Sequence, residues 1–411
     1  MTLDPVHVDN IARLAGAIAD GVDDTDHGEF AETVWDEWLD PLRHRGRTVL
    51  EPLDEQRRRS VDAETVALAD PPFPSVHGLD SGTMNPTTFK NGLVLDVAQA
   101  AMGAVPSDLD LHRSRSLVAT VHTNDATVRL PEDWIHYDAG YSRRRILQAP
   151  RVSRFAEEVV HELALYLAEV EHAHHHAGVV EDLLILDGPL YPKRLLNWED
   201  RDRELGEVAR EATPREIVTR YVRLVESFVD RDVPLVGFVK NPTSGFVVRT
   251  LREQGVEAPW PDDTALFTRL LERREDGERN TDDLTFTSWF RSRGGSDEPM
   301  AADGDALDID RHLDPTAYEL TFFALYDPRS DLLYRVEAPY AVTRDEEVRE
   351  ALTTQILRDV AAARGPPEAV GKADELARIG RAEKAALRRK METTLDTESL
   401  RTYDEERWRE G

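Results

Sequence analysis

The sequence contains no cysteine, few lysines and no long apolar run, and each absence excludes a class of protein or site. Without cysteine the chain has no disulfide bonds and no zinc site built on thiolates. No apolar stretch approaches the roughly 20 residues of a membrane-spanning helix. The N-terminal residues also lack a basic and apolar signal segment. We therefore expect a soluble, cytoplasmic protein without a membrane partner.

Lysine is scarce, and arginine supplies nearly all of the positive charge. The chain has 51 basic and 80 acidic residues, a formal net charge of −29, and only six lysines. This composition is typical of halophilic proteins, which keep a highly charged, hydrated surface in concentrated salt, although an ordinary acidic cytosolic protein is the alternative. Acidity disfavours nucleic acid, because phosphates are bound through Lys and Arg. In about 1 M salt, however, the screening length is only about 3 Å, so the net charge does not exclude a DNA partner.

Two stretches place an aspartate at the end of a predicted strand. The segment 182–190, DLLILDGPL, has four consecutive aliphatic residues, which predict a strand buried on both faces and ended by Gly188. The segment 75–83, SVHGLDSGT, is a shorter strand that leads into Asp80. If the strands are neighbours, Asp80 and Asp187 meet at the sheet edge where open α/β folds bind ligands. Two close carboxylates need a cation or a proton between them, whereas a single strand-end Asp is more often a turn former or helix cap.

The order of predicted elements favours an α/β protein with a ribonuclease H-like mixed sheet. Hydrophobic periodicity predicts three strands, a helix, the buried strand, a second helix and a further strand, at residues 75–80, 92–100, 116–122, 151–173, 183–187, 214–230 and 234–240. Short spacers make the first three strands an antiparallel meander. Two amphipathic helices precede them, at 7–22 and 28–42, and either cover the core or make a dimer contact.

Composition also divides the chain into segments. We predict an N-terminal helical arm (1–70), a ribonuclease H-like core (71–290), a flexible acidic insertion (291–316), a C-terminal hairpin with helices (317–395) and a charged tail (396–411).

The core carries further residues suited to phosphoryl chemistry. Two-metal hydrolysis uses several carboxylates around ions roughly 3.5–4 Å apart, so a third acid is expected on the helix 151–173. We favour Glu158, with Glu157 and Glu162 as alternatives. Lys240 follows the last core strand and is a candidate phosphate contact and catalytic residue, and Lys90, a few residues after Asp80, is another candidate for DNA binding; both are otherwise ordinary edge lysines.

Two other clusters have less specific patterns. The histidines at positions 172 and 174–176 lie at a helix end, where the dipole favours them, but their spacing fits no standard metal site. The run Arg388-Arg389-Lys390 is better explained as a solvated helix face than as a DNA track.

The chain resembles the NurA family of DNA-end-processing nucleases, from about residue 75 to 390, and its composition is similar to that of the haloarchaeal branch. The resemblance is carried by short motifs: Asp-Ser-Gly at Asp80, Leu-Asp-Gly-Pro-Leu at Asp187, Gly-Phe-Val-Lys-Asn at 237–241, Arg-Val-Glu-Ala-Pro at 335–339, and a Pro-rich turn leading into Ala-Asp-Glu at 373–375.

The resemblance implies a ribonuclease H-like homodimer that forms a ring and hydrolyses DNA from 5′ ends with Mn²⁺, with Mg²⁺ as an alternative, and that also acts as a single-strand endonuclease. It further implies work with the hexameric translocase HerA in double-strand-break resection. Asp80 and Asp187 match the family's metal-binding aspartates, with Glu158 as the helix ligand. We also expect Arg335 to bind DNA beside Lys90 and Lys240.

One departure from the family pattern opens an alternative. The family usually has a Tyr and, eight residues later, a metal-ligating His, where this chain has Pro366 and Asp374. Asp374 can replace the His as an oxygen ligand, whereas nothing replaces the Tyr. A DNA-clamping adaptor of the translocase with a decayed site is therefore the second hypothesis. A kinase or ATPase of the actin-like fold is the third, because Leu79 to Thr83 resembles its phosphate loop, although no Ser or Thr follows Asp187.

Overall fold

The computed structural model describes residues 5–21, 27–295, 297–301 and 309–401. Parts of the predicted insertion and of the predicted charged tail lie outside these ranges. None of the helices in the described ranges is long and apolar enough to cross a membrane.

Helices and strands are distributed along the whole described chain. The helices are α1 Pro5–Gly21, α2 His27–Trp38, α3 Ala63–Ala67, α4 Leu109–Arg113, α5 Ala156–His176, α6 Lys193–Leu196, α7 Trp198–Arg201, α8 Arg203–Ala209, α9 Ala212–Val229, α10 Phe246–Glu253, α11 Asp263–Leu271, α12 Glu298–Ala301, α13 Tyr340–Thr343, α14 Glu346–Ala363, α15 Glu368–Ala377 and α16 Arg381–Thr394. The strands are β1 Leu42–His44, β2 Arg47–Pro52, β3 Arg58–Asp62, β4 Val76–Thr83, β5 Thr87–Thr88, β6 Val94–Val105, β7 Arg115–His122, β8 Ile135–Tyr137, β9 Ser142–Gln148, β10 Leu184–Asp187, β11 Leu235–Val239, β12 Arg274–Glu275, β13 Glu278–Arg279, β14 Asp283–Thr287, β15 Phe290–Ser292, β16 Leu320–Asp327 and β17 Leu332–Pro339.

One large mixed sheet organises the fold. Its strand order is β1-β2-β15-β16-β17-β11-β10-β4-β6-β7-β9-β8, with β14, β3 and β5 attached at the side. The predicted meander is confirmed, because β6 pairs antiparallel with both β4 and β7. Strand β10 lies between β4 and β11 and is parallel to both. The mixed α/β class is therefore confirmed, and the carboxyl ends of three strands meet at one edge.

Both faces of the sheet are covered by helices, as the apolar run of β10 predicts. Leu184 and Leu186 pack into a core that includes α5 and α9. Ile185 points the other way, into a core built with α14 and α15. The alternation of side chains along a strand accounts for this division. Strand β10 is thus held on both sides, which fixes the position of Asp187 at its end.

Glycines let helix α15 approach the sheet closely. A Cβ on Gly78 of β4 would lie 2.2 Å from the carbonyl oxygen of Ala369, and one on Gly103 of β6 would lie 2.7 Å from Cβ of Lys372. Both distances are too short for real atoms, so only glycine fits where this helix crosses the strands. The close contact brings the middle of α15, including Asp374, to the carboxyl end of β4.

Two predicted segments differ from the structure. The N-terminal arm is not purely helical, because β2 pairs with β15 and β3 pairs with β14, which joins residues 42–62 to the main sheet. The strand signal of this stretch is weak because its apolar residues are few and are separated by arginines and acids. In the predicted insertion, β15 and α12 are ordered and the side chain of Met300 is buried.

Candidate metal centre

Three aspartates meet at the carboxyl edge of the sheet. Asp80 and Asp187 are brought together because β4 and β10 are parallel neighbours, with Leu79 beside Leu186 in the register. Helix α15, which packs on the face of the sheet opposite α5, adds Asp374. One carboxylate oxygen from each of the three lies within 4.8 Å of the others, and no other group of three acidic or histidine side chains in the described residues is so close. The arrangement can hold a metal ion.

The electrostatics of Asp80 indicate that this cluster carries more negative charge than the protein compensates. The pKa of Asp80 is raised to about 8. Burial is the largest cause, and the charges of Asp187, Glu169 and Asp374 add to it. Burial also raises the pKa of Asp187. Close carboxylates are the donor set that binds a hard divalent cation, since Mn²⁺ and Mg²⁺ prefer oxygen ligands. The residues therefore fit a divalent metal.

Lys240 is the cation that the chain itself offers to the cluster. Its Nζ lies 2.6 Å from Oδ2 of Asp187. Burial alone would lower the pKa of Lys240, but the hydrogen bond and charge of Asp187, with the charges of Asp374 and Asp80, raise it. The prediction from sequence that Lys240 lies beside the acids agrees with this position. The ammonium group in turn opposes the rise that burial causes in the pKa of Asp187.

A fourth acid lies beside the aspartates, and it is Glu169 on α5. Ser81 Oγ donates a hydrogen bond to its Oε1 at 2.7 Å, and the Tyr221 hydroxyl donates to its Oε2 at 3.2 Å. Burial raises the pKa of Glu169 to about 7, although both hydrogen bonds oppose the rise. The helix thus supplies an acid to the cluster, as the sequence predicts, but from a different turn.

The structure does not bring Glu158 to the cluster. Glu158 makes an ion pair with Arg201, and it lies eleven residues, about 16 Å of helix, before Glu169. Eleven residues are close to three full turns, so the two glutamates share one helix face. Glu157 accepts a hydrogen bond from Thr88 at 2.7 Å. Glu162, the remaining alternative, is buried one turn after Glu158 and also lies away from the aspartates. The periodicity gives the face but not the turn at which the helix passes the sheet edge.

Two predicted DNA contacts are already neutralised by acids. Lys90 pairs with the exposed Glu398 and is not part of the cleft beside the cluster. Arg335 lines that cleft, but its Nε lies 2.8 Å from Oε1 of Glu337 and its guanidinium stacks 3.8 Å above the ring centroid of Phe322. The histidines around position 172 form no metal group either. His172 is buried against Ser116, and burial lowers its pKa well below the ordinary value.

A cleft of about 700 Å³ opens beside the aspartates. Asp187 and Glu169 line one part of it, and helices α6 and α10 contribute Arg194 and Arg249. The fully buried Glu337 also lines the cleft. Burial alone would raise the pKa of Glu337, but the charges of Lys193 and Arg335 lower it instead. The cleft is therefore a place where a ligand can reach Asp187.

Comparison with known proteins places the chain in one family. Residues 74–379 match the model of the NurA domain. A search of curated proteins found no match. Solved structures similar to this chain include the NurA nuclease from Sulfolobus solfataricus, with a TM-score of 0.49, 11% identity and coverage of 96% of this chain and 98% of that one. NurA with manganese gives 0.40, 11%, 82% and 91%, and NurA bound to dAMP and manganese gives 0.43, 10%, 96% and 98%. The family model covers well over half of the sequence, and the chain belongs to the NurA domain family.

Proposed function

We propose that this protein is a divalent-metal-dependent DNA nuclease with a ribonuclease H-like core. The observation that carries the proposal is the cluster of Asp80, Asp187 and Asp374 at the edge of a cleft, in a chain that belongs to the NurA domain family. Asp374 stands where the family usually has a His, and it supplies an oxygen ligand in its place. Solved NurA structures with manganese, one of them also with dAMP, support Mn²⁺ as the cofactor, with Mg²⁺ as the alternative.

The roles of the residues follow from their contacts. Asp80, Asp187 and Asp374 would hold the metal, and Glu169 would orient Ser81 and the water near it. The chemistry that such a cation supplies when bound is activation of a water nucleophile and stabilisation of the leaving oxygen. Lys240 fixes Asp187 and keeps a positive charge at the point where the scissile phosphate would enter. The buried Glu337 accepts a hydrogen bond from the backbone N–H of Leu190, at 3.2 Å, and so holds the loop that follows Asp187.

The resemblance to the family supports a finer proposal. We infer that the enzyme removes nucleotides from 5′ ends, cuts single strands internally, and works in the cytoplasm as a homodimer with a HerA-type hexameric translocase during double-strand-break resection. A salt-adapted surface, with a net charge of −29, is part of the same proposal. The second candidate is a DNA-clamping adaptor of the translocase, which Pro366 favours because it occupies the place of the family's Tyr.

The test is hydrolysis of linear DNA, labelled at either the 5′ or the 3′ end, in molar KCl with Mn²⁺. The proposal predicts cleavage by the wild type and none by Asp187→Asn. The matched control is Asp182→Asn, because Asp182 precedes the same strand at its opposite end, where it accepts a hydrogen bond from the N–H of Ser75 at 2.9 Å. Early release of label from the 5′ end supports the proposed polarity. DNA binding without cleavage under any divalent metal would establish the adaptor instead.

A further inference from the structure

The cations that line the cleft fall into two kinds. Lys193 and Arg335 both pair with the buried Glu337, and Lys193 Nζ also lies 3.9 Å from Oδ1 of Asp297, so both cations already have acidic partners within the protein. Arg194 and Arg249 are exposed, and neither guanidinium makes a hydrogen bond or ion pair with any residue that the structure describes. The lining therefore contains two arginines whose charge is free for a ligand.

Free guanidinium groups in this cleft are unexpected for so acidic a chain. Beyond the cleft, on the outer side of the same helical region, Arg201 pairs with Glu158, and Arg154 pairs with Asp202 at 3.0 Å. Acids are therefore available nearby, yet none of the described acids forms an ion pair with Arg194 or Arg249, and Glu162 interacts with Arg194 only through its charge. A planar guanidinium with its donors unoccupied is suited to bind a phosphate through two parallel hydrogen bonds.

The fold places the two arginines around the same strand ends. Arg194 lies on α6, just after the loop that follows β10, and Arg249 lies on α10, which follows β11. Because β10 and β11 are parallel neighbours, both helices leave the sheet at the edge that carries Asp187. Each arginine thus reaches the cleft from a different connection, and Asp187 lines the same cleft.

The contacts of Arg194 with helix α5 show how far along that helix it lies from Glu169. Its backbone N–H donates to the hydroxyl of Tyr166 at 3.4 Å, and its charge lowers the pKa of Glu162, which burial otherwise raises to about 7. Glu162 precedes Glu169 by seven residues, or about 10 Å of helix. A B-form strand advances about 3.4 Å per phosphate, so this distance corresponds to about three nucleotides, and to fewer in an extended strand.

We propose that Arg194 and Arg249 bind backbone phosphates of a single DNA strand at positions removed from the scissile phosphate, and so position the strand at the aspartates. The inference rests on the proposed nuclease function for its substrate class. Arg194 and Arg249 take the place of Lys90 and Arg335 as the expected phosphate contacts, because Lys90 and Arg335 are already paired with acids. The two arginines are positioning residues, because the cleft separates them from the reacting atoms.

The test measures the binding of a short single-stranded oligonucleotide by fluorescence anisotropy, with Ca²⁺ in place of Mn²⁺, across KCl concentrations at which circular dichroism shows intact protein. Each phosphate contact on a single strand contributes about 0.7 to the slope of log affinity against log salt. Arg194→Gln and Arg249→Gln are each expected to lower the slope by about that amount, and the double variant by about twice as much. The lysine variants Arg194→Lys and Arg249→Lys should keep the slope, because they keep the charge.

The control is Arg344→Gln. Arg344 is exposed, lies outside the cleft lining, and follows the end of β17 that is opposite the aspartates. It should leave the slope unchanged. Kinetically, the glutamine variants at 194 and 249 should raise KM for DNA more than they lower kcat. Wild-type slopes in both folded glutamine variants would overturn the inference. Absence of cleavage by the wild type would instead contradict the proposed function, and the binding slopes would still decide the role of the arginines.

Discussion

Replacing Asp80 by asparagine removes one ionisable carboxyl group from the aspartate cluster and keeps the shape of the side chain. The pKa of Asp80 is raised from 3.8 to about 8 in the folded protein, first by burial and then by Asp187. The folded state therefore holds a proton that the unfolded chain releases between these two values. The sign follows directly: the stability of the metal-free wild type falls as pH rises from about 4 to about 8.

The expected size follows from the same shift. At pH 7 the interval above 3.8 is about three pH units, which corresponds to about 4 kcal/mol of destabilisation that Asp80→Asn removes. With an unfolding entropy of about 2.1 cal/mol/K per residue over 411 residues, this raises Tm by about 5 °C. Manganese at a hundred times its Kd should stabilise the wild type by about 2.7 kcal/mol, which adds about 3 °C. The variant should lose the manganese effect.

The assay is thermal unfolding at pH 5, 7 and 8, in molar KCl, with EDTA or with Mn²⁺. Glu158→Gln is the matched control, since its carboxylate pairs with Arg201 away from the cluster. That variant should keep the full manganese shift, whereas Glu169→Gln should reduce it. If Asp80→Asn lowers Tm in EDTA at pH 7, or keeps the manganese shift, the electrostatic account of the cluster is wrong.

Three further predictions concern stability and salt. Burial first, and then the charge of Glu158, raises the pKa of Glu162 from 4.5 to about 7, so Glu162→Gln should stabilise the fold by up to about 3 kcal/mol above pH 7 and by nothing below about pH 4, as measured by urea unfolding at several pH values. An equal gain at pH 4 and pH 8 would contradict this cause. Gly78→Ala should lower the free energy of unfolding by about 3 kcal/mol or more, because the new Cβ would lie 2.2 Å from the carbonyl oxygen of Ala369 on α15. A Cβ at Gly371, on α15 itself, would have nothing within 4 Å, so Gly371→Ala should be neutral or slightly stabilising. Equal unfolding midpoints for these two variants would refute the close packing of α15. DNA hydrolysis should persist in molar KCl, and activity confined to low salt would argue against a salt-adapted surface.

The sequence predicts the central sheet and its two aspartates well, for a physical reason. The run Leu183 to Leu186 has no polar residue, and such a run fits only a strand covered on both faces. Gly188 marks the end of this strand, so the sequence alone places Asp187 at the strand end. Strands β2 and β3 are missed because short strands with mixed polar residues look like irregular segments.

The helix ligand could not be placed because helical periodicity repeats every turn. Glu158, Glu162 and Glu169 lie close to one face of α5, and the choice among them depends on how far the helix extends past the edge of β4. One signal does distinguish Glu169: it interrupts an otherwise apolar stretch, 163–170, which is the part of the helix that packs on the sheet. Glu169 is half-buried there, and an acid that is removed from water in this way needs a partner.

The free arginines could not be predicted at all from spacing. Their role depends on which acids the fold places beside each cation: Glu337 pairs with Lys193 and Arg335, whereas Arg194 forms no ion pair with an acid in the described residues. Asp374 was identified only through the resemblance to a family, because its contact with β4 depends on glycines far away in the sequence.

The most direct test of the account is the hydrolysis of end-labelled single-stranded DNA by Asp374→Ala and Asp374→His in molar KCl with Mn²⁺. Asp374 is the residue that makes two strand-end aspartates into a three-ligand centre. The account predicts that alanine abolishes cleavage while DNA binding persists, and that histidine, the ligand usual in the family, retains it. Full activity of the alanine variant would show that the three aspartates do not form the metal centre.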